Sequence, residues 1–248
     1  AAEALSEKNI ASLSRLHEPP KREKLGGLAD YLSVLGLKLS AGERATTQKL
    51  NALLKIAETK GLSESVGMAV LRSQSQAIYD AERKGHFGLN LSNYTHFTSP
   101  IRRYPDVLVH RLLEFYMQGH EKINPVVLEE ACTHSSNREQ LATKAERDSI
   151  KYMQVKFMQD KIDQGFDGLI SGVTDRGMYV EIIENKCEGM VKVSEIKGDY
   201  FTYDEKSHSL VGDRTKKIYQ LGDPVRVIVK KVDLIKRQLD FILEEQKE

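Results

Sequence analysis

Tyr94-Thr-His-Phe-Thr-Ser-Pro-Ile-Arg-Arg-Tyr-Pro-Asp106 is the most informative stretch of this chain, because it places two arginines directly before a helix start. The Ser99-Pro100 step is a helix-entry signal, since a serine hydroxyl caps free amides and a proline in the first turn leaves no amide unpaired. Pro105 restricts the preceding tyrosine to extended geometry, so we expect a tight turn first and the helix from about Pro105. Arg102 and Arg103 would then lie beside free amides, where a phosphate binds well. The residues alone leave open a helix start with solvated arginines.

Composition excludes several classes of protein. The 37 Lys and Arg residues almost balance the 36 Asp and Glu residues, so any nucleic-acid binding has to come from local patches. Cys132 and Cys187 are far apart in the sequence, which favours reduced thiols in a cytoplasmic protein over a disulfide framework. No apolar run approaches the roughly 18 residues of a membrane span, and no signal peptide is visible. Because the chain begins Ala-Ala-Glu without methionine, we expect a fragment or a processed product.

Apolar residues recur at helical spacing through the first half of the chain. Ser136-Asn-Arg-Glu139 has the form of a capping box, so we expect one helix to end near His134 and a longer one to follow to about Ile162. The other expected helices cover residues 1–9, 21–35, 43–59 and 63–81, with an extended link over residues 10–20.

From Gly165 the apolar pattern changes to alternation, which is typical of β-strands. Five short strands with glycine-rich corners predict a small OB-type barrel, and the domain boundary falls near residue 163. The fold class is therefore α+β, with a mostly helical part over 1–163 and a five-stranded OB-fold β-barrel over 164–248. The expected strands cover residues 166–173, 177–183, 189–194, 225–232 and 238–243.

The Tyr94–Asp106 stretch, preceded by Gly85-His-Phe-Gly-Leu89, closely resembles the signature near the end of the catalytic domain of the RNB family of exoribonucleases. That family includes ribonuclease II and ribonuclease R. The resemblance implies that residues 1–163 are the C-terminal portion of an RNB catalytic domain. It also implies processive hydrolysis of single-stranded RNA from the 3′ end to nucleoside 5′-monophosphates.

The resemblance assigns roles to particular side chains. Arg102 matches the family arginine that grips the scissile phosphate, where a preorganised guanidinium stabilises the charge of the transition state. Glu146 resembles the family glutamate that approaches the RNA 3′ end, although a charged helical face is usually just solvated. Arg103 contacts RNA or packs locally. Three further residues line the cavity or pack the turn: Tyr94, His96 and Ser99.

The resemblance also implies magnesium ions held by an Asp-x5-Asp-x-Asp-Asp cluster. This pattern does not occur in the chain, where the acidic residues are dispersed and neither Asp106 nor Asp148 has a second aspartate close by in the sequence. We therefore expect the magnesium ligands to lie outside this chain, and the chain alone to be catalytically inactive. Three histidines do not share a metal-ligand spacing with Cys132, so structural roles are expected for them: His86, His110 and His134.

Residues 164–248 resemble the RNA-binding OB fold first named for ribosomal protein S1. In such folds aromatic side chains stack on bases while basic groups follow the phosphates. Alternation predicts that Val180 and Ile182 point inward and that Tyr179 and Glu181 point outward. Tyr179 matches the second platform aromatic of the family.

Other positions of this domain match the pattern less completely. Asp233 and Arg237 match the late Asp-x3-Arg pair, but Arg176 stands where a phenylalanine is usual and Lys192 where a histidine is usual. These changes predict less stacking and more phosphate attraction. Phe166 either belongs to the aromatic platform that stacks on bases or packs in the core of the barrel. Packing within the long 198–222 connection is expected for three aromatic residues: Tyr200, Phe201 and Tyr203.

Two other function classes fit parts of the sequence. One is a non-enzymatic RNA-binding protein that reuses the RNB scaffold, and the presence or absence of the aspartate cluster in the gene upstream of Ala1 would discriminate it from an enzyme. The other is an S1-type adaptor in translation with a helical partner-binding arm, which the Tyr94–Asp106 stretch argues against.

Overall fold

The computed structural model describes residues 1–8, 10–39, 46–120, 123–205 and 207–244. Its residues fall into two compact units that are interleaved in sequence. The first contains Ala1–Leu25, Ala41–Ile56 and Val70–Lys144, and the second contains Gly26–Ser40, Ala57–Ala69 and Ala145–Glu248. Among the described residues, no helix combines the length and apolarity needed to cross a bilayer.

Six α-helices occur in the described part of the chain. Amphipathic spacing accounts for longer ones such as Thr47–Thr59, which buries Leu50, Leu53 and Ala57. The expected helix over residues 43–59 begins at Thr47, while residues 43–45 lie outside the described ranges. In chain order the helices are α1 (Ala2–Glu7), α2 (Arg22–Val34), α3 (Thr47–Thr59), α4 (Ser63–Ser73), α5 (Tyr104–Met117) and α6 (Pro125–Phe157).

The expected helix over residues 63–81 is too long. Helix α4 ends at Ser73, whose hydroxyl donates to the Val70 carbonyl 2.7 Å away. The chain then forms strand β2 (Ile78–Asp80), which pairs antiparallel with β1 (Ser14–Leu16) in the segment predicted to be an extended link. Isoleucine and tyrosine favour a strand once a partner is present, and the partner lies more than sixty residues earlier.

The predicted break near residue 135 is also wrong, because α6 continues unbroken from Pro125 to Phe157. The Ser136 hydroxyl contacts the Cys132 carbonyl one turn earlier at 3.0 Å, and it accepts the Tyr79 amide of strand β2 at 2.9 Å. A serine that bonds within its own helix and to a neighbouring strand has no capping role, so the capping-box pattern is coincidental here.

The second unit contains the predicted five-stranded barrel. Strands β3 (Gly165–Thr174), β4 (Gly177–Ile182), β5 (Glu188–Lys192), β9 (Pro224–Asp233) and β10 (Gln238–Leu243) close in the order β10-β5-β4-β3-β9. The interior is apolar, and the predicted inward residues Val180 and Ile182 are fully buried. The sequence therefore predicted both the strands and their facing correctly.

A three-stranded sheet occupies part of the connection between β5 and β9, where no strand was expected. Strands β6 (Phe201–Asp204), β7 (Ser209–Gly212) and β8 (Ile218–Tyr219) pair antiparallel in sequence order. Phe201 is buried in the barrel core cluster and Tyr203 packs against it, as expected. Tyr200 is 75 % exposed, so the expected loop packing is wrong for this residue.

Candidate nucleic-acid interface

The arginine-bearing turn is held by a buried carboxylate. Asp106 in the first turn of α5 is fully buried, and its Oδ2 accepts the Ser99 amide at 2.7 Å and the Arg103 Nη2 at 3.0 Å. The Ser99 carbonyl in turn accepts the backbone amides of Arg102 and Arg103 at 3.3 and 3.0 Å. The helix begins after Arg103 without a side-chain cap, so Asp106 fixes the turn in place of the predicted serine cap.

This arrangement separates the two arginines. Arg103 is ion-paired with Asp106, and its side chain is only 24 % exposed. Arg102 is exposed, and its one contact to a described side chain is a long 3.5 Å approach from Nη2 to the Ser99 hydroxyl. Because no described carboxylate neutralises it, the Arg102 guanidinium is free to bind an external anion.

A cavity of about 350 Å³ lies beside this turn within the first unit. One wall is the start of α5, including both arginines, and another is the face of α6 that carries Arg138 and Glu139. Glu139 is neutralised by Arg15, whose Nη1 lies 2.6 Å from its carboxylate. Of the predicted site residues, Arg102 and Arg103 line this cavity, whereas Tyr94, His96 and Ser99 do not. The full lining is Tyr79, Arg102, Arg103, Tyr104, Pro105, His134, Ser135, Arg138, Glu139 and Ala142.

The predicted Tyr94 and His96 belong to a packed aromatic cluster next to Tyr79. Their rings meet edge to face with centroids 5.7 Å apart, and His96 Nδ1 lies 2.7 Å from the Tyr79 hydroxyl. Burial and the nearby Arg103 and Arg15 charges lower the pKa of His96 to about 4, while burial and the Glu139 charge raise the pKa of Tyr79 to about 12. At neutral pH a neutral tyrosine hydroxyl is therefore hydrogen-bonded to an uncharged imidazole.

The residues in this region do not fit a bound metal ion. Within the described ranges, no three His, Cys, Asp or Glu side chains are grouped so that they could hold one. The two carboxylates nearest the turn are already neutralised, Asp106 by Arg103 and Glu139 by Arg15. His110 is engaged as well, with Nε2 bonded to the Phe97 carbonyl at 2.7 Å and its ring stacked on Phe97.

In the second unit, one outer face of the barrel collects several predicted RNA-binding side chains. The β4–β5 register pairs Gly177 with Lys192 and Tyr179 with Met190, so Tyr179 and Lys192 are diagonal neighbours on one face. Tyr179 is 40 % exposed, and Arg176 is exposed in the turn that precedes β4. The Arg176 side chain makes no ion pair with a described residue. A half-exposed aromatic ring and an unpaired guanidinium are the kinds of group that stack on bases and attract phosphates, so their RNA-binding role stays a prediction.

Other predicted residues of the barrel have structural partners. Lys192 Nζ lies 2.9 Å from Asp240, and Arg237 Nη1 lies 3.1 Å from Asp148. Asp233 accepts the backbone amide of Lys236 at 2.9 Å, which shapes the β9–β10 turn and lowers the pKa of its carboxyl. Phe166 is partly buried against the barrel core.

Glu146 lies on α6 and is exposed. Its carboxylate makes no hydrogen bond or ion pair with a described residue. A solvated carboxylate is compatible both with contact to RNA and with an ordinary charged helix face, so its role stays a prediction.

Sequence reasoning missed Arg138 and Tyr104 as cavity residues. His134, Arg138 and Ala142 follow one another at four-residue spacing, which places side chains on one face of a helix. That signal was hidden because the expected capping box ended one helix and began another within this segment.

Comparison with known proteins identifies two domains. Residues 1–119 match the RNB domain, and residues 159–243 match the S1 RNA binding domain. Ribonuclease R of Aquifex aeolicus is 39 % identical over 239 residues, which cover 95 % of this chain and 34 % of that protein. The chain thus spans about a third of the length of this relative.

Solved structures agree with this assignment. The apo form of Mycoplasma genitalium RNase R superposes with a TM-score of 0.89 at 26 % identity, covering 98 % of this chain and 39 % of that one. The same protein in complex with ribose methylated single-stranded RNA gives the same TM-score, identity and coverage. This chain therefore carries an RNB domain followed by an S1 RNA-binding domain and is a homologue of the ribonuclease R proteins of the RNB family.

Proposed function

We propose that this chain supplies the C-terminal part of a 3′-to-5′ exoribonuclease that processively hydrolyses RNA to nucleoside 5′-monophosphates. The observation that carries the proposal is the state of Arg102. Its guanidinium is exposed beside a cavity and has no described carboxylate partner, on a turn fixed by the buried Asp106. A cation kept free at this position is a binding element for a phosphodiester.

Arg102 would act on the charge that hydrolysis creates. Attack of water on a phosphodiester increases the negative charge on the non-bridging oxygens, and a guanidinium already in place stabilises that charge without reorganising. The neighbouring Arg103 cannot share this role equally, because Asp106 neutralises it and holds it 24 % exposed. We therefore assign phosphate activation to Arg102 and support of the turn to Arg103.

The remaining predicted residues would guide the RNA. Glu146 would place the 3′ nucleotide, and the barrel face with Arg176 and Tyr179 would hold single-stranded RNA by stacking and charge. We place the boundary between the two domains between residues 163 and 164. Cys132 and Cys187 are buried and are not joined in a disulfide, and reduced thiols of this kind support a cytoplasmic location for the protein.

RNB nucleases generally depend on a divalent metal. We propose magnesium, with ligands outside this chain, because the described residues contain no suitable group and the sequence contains no Asp-x5-Asp-x-Asp-Asp pattern. The consequence is that residues 1–248 bind RNA but do not hydrolyse it by themselves.

A chimera tests this function directly. Residues 1–248 would replace the matching part of Aquifex aeolicus ribonuclease R, which retains its own upstream region. We expect the chimera to release nucleoside monophosphates from the 3′ end of a single-stranded RNA, whereas the 248-residue chain binds the same RNA and leaves it intact. Hydrolysis by the isolated chain in magnesium, or a folded chimera that binds RNA without degrading it, would contradict the proposal.

The second candidate is a non-enzymatic RNA-binding protein built on the RNB scaffold. The lack of a metal-binding group among the described residues favours it. Because the Aquifex aeolicus region supplies the metal site, the chimera tests only whether residues 1–248 support hydrolysis. A chimera that folds and binds RNA normally but stays inactive would favour this second function.

A further inference from the structure

The cavity beside Arg102 has a second uncompensated cation on its opposite wall. Arg138 lies on the α6 face that lines the cavity, is exposed, and makes no ion pair with a described residue. The carboxylate beside it on that helix, Glu139, is neutralised by Arg15 at 2.6 Å. Arg103 is neutralised by Asp106 in the same way. Among the residues that the structure describes, two arginines of the cavity thus have no ion-pair partner, Arg102 on one wall and Arg138 on another.

The remaining lining suits the flat, less polar part of a nucleotide. Tyr104 and Pro105 provide an aromatic ring and an apolar ring on the α5 side, and Ala142 leaves open space on the α6 side. Tyr104 is 55 % exposed, so its ring is available for stacking. A volume of about 350 Å³ lies within the usual range of small-ligand sites.

We propose that this cavity is a nucleotide subsite in which Arg138 binds a backbone phosphate of the RNA and Tyr104 stacks on a base. The proposal rests on the proposed function, since it takes RNA as the ligand of the Arg102 wall. It adds a second phosphate-binding arginine, supplied by a different helix. Arg138 would be a positioning residue, because it holds a phosphate other than the one that Arg102 activates.

RNA affinity of the 248-residue chain, measured by fluorescence anisotropy against KCl concentration, separates these roles. Arg138→Ala should weaken binding of a fluorescein-labelled uridine oligonucleotide about tenfold, and it should flatten the plot of log affinity against log salt by about 0.7. Arg138→Lys should restore the slope because the charge returns. Tyr104→Leu should weaken binding without changing the slope, because stacking releases no counterions.

The matched control is Arg111→Ala, which removes an exposed arginine of α5 that lines a different, apolar cavity. It should change affinity less than about twofold. If Arg138→Ala leaves affinity and slope at the control level while Arg102→Ala lowers both, the subsite is wrong and the proposed function stands. If neither arginine variant differs from the control, RNA does not bind at this cavity and the subsite is wrong, whereas the role of Arg102 in catalysis is decided separately by the turnover of Arg102→Ala in the chimera.

A mononucleotide competition provides the second arm. Uridine 5′-monophosphate should displace the oligonucleotide from the wild-type chain at lower concentration than from Arg138→Ala. Equal displacement from both proteins would overturn the phosphate contact of Arg138.

Discussion

Asp106 should couple the stability of the first unit to the position of Arg102. Its buried carboxylate accepts the Ser99 amide at 2.7 Å and the Arg103 guanidinium at 3.0 Å. In Asp106→Asn an amide oxygen in the place of Oδ2 can still accept both bonds, but the charge opposite Arg103 is lost. Hydrogen bonds to charged groups contribute about 1.5–3 kcal/mol, and the partial exposure of Arg103 favours the lower end, about 2 kcal/mol. Asp106→Ala removes both bonds and leaves a half-buried arginine unpaired, which costs about 3–5 kcal/mol.

Urea unfolding followed by circular dichroism measures both losses. The control is Asp148→Asn, which removes the same charge from the exposed ion pair with Arg237 and should cost less than about 1 kcal/mol. The RNA affinity of Asp106→Asn, measured where the protein is still folded, should also fall because the turn that positions Arg102 is loosened. If Asp106→Asn matches the Asp148→Asn control in stability and keeps wild-type RNA affinity, the turn is not held by this carboxylate.

Three other predictions concern pH, RNA contact and backbone geometry. Since His96 has a pKa of about 4 when folded and an ordinary value of 6.5, the unfolded chain binds its proton first on acidification. The stabilisation from this group is complete above pH 6.5 and is lost as the pH falls towards 4. In the wild type this loss lowers the free energy of unfolding by about 2 kcal/mol between pH 6.5 and pH 4, and His96→Gln should remove it. The same fall in the free energy of unfolding in both proteins would contradict the assignment. Tyr179→Ala should weaken single-stranded RNA binding by about 1–3 kcal/mol in anisotropy titrations, and equal losses in it and in Tyr200→Ala would argue against a specific platform. Gly177→Ala should lower the melting temperature of the barrel, because φ at Gly177 is 152° and a Cβ there would collide with the backbone oxygen of Val191. The control is Gly67→Ala, where a Cβ on the helix meets open space, and it should be neutral or stabilising by up to about 1 kcal/mol. Similar melting temperatures for the two variants would refute the strain at Gly177.

The barrel was predictable because apolar residues alternate along strands such as β4. Val180 and Ile182 are fully buried and Tyr179 between them is exposed, which is what a period of two requires when one side of a sheet is covered. The small β6–β8 sheet lacked such a signal. Its strands have two to four residues, and part of its stability comes from Asp199, whose carboxylate accepts the amides of Arg214 and Thr215 across the connection.

Long-range partners explain the errors in the helical half. Strand β2 forms because Ser14–Leu16 is available to pair with it, and local propensity contains no information about that partner. Ser136 resembles a helix cap until its actual partners, the Cys132 carbonyl and the Tyr79 amide, are known.

Part of the candidate site could be predicted from the sequence. The Tyr94–Asp106 stretch is continuous in sequence, so its resemblance to the RNB signature was enough to name Arg102 as the candidate. The stabilising role of Asp106 depends on burial, which its neighbours in sequence do not reveal. Arg138 could be recognised only once α6 proved to be continuous past Ser136.

The most direct test of the account is Arg102→Ala in the chimeric enzyme, with turnover and RNA affinity measured on the same single-stranded substrate. If the Arg102 guanidinium stabilises the transition state, kcat should fall at least about a hundredfold while the Kd for RNA changes by no more than about tenfold. An equal loss in turnover and affinity would contradict the account, since it would reduce Arg102 to an ordinary binding contact.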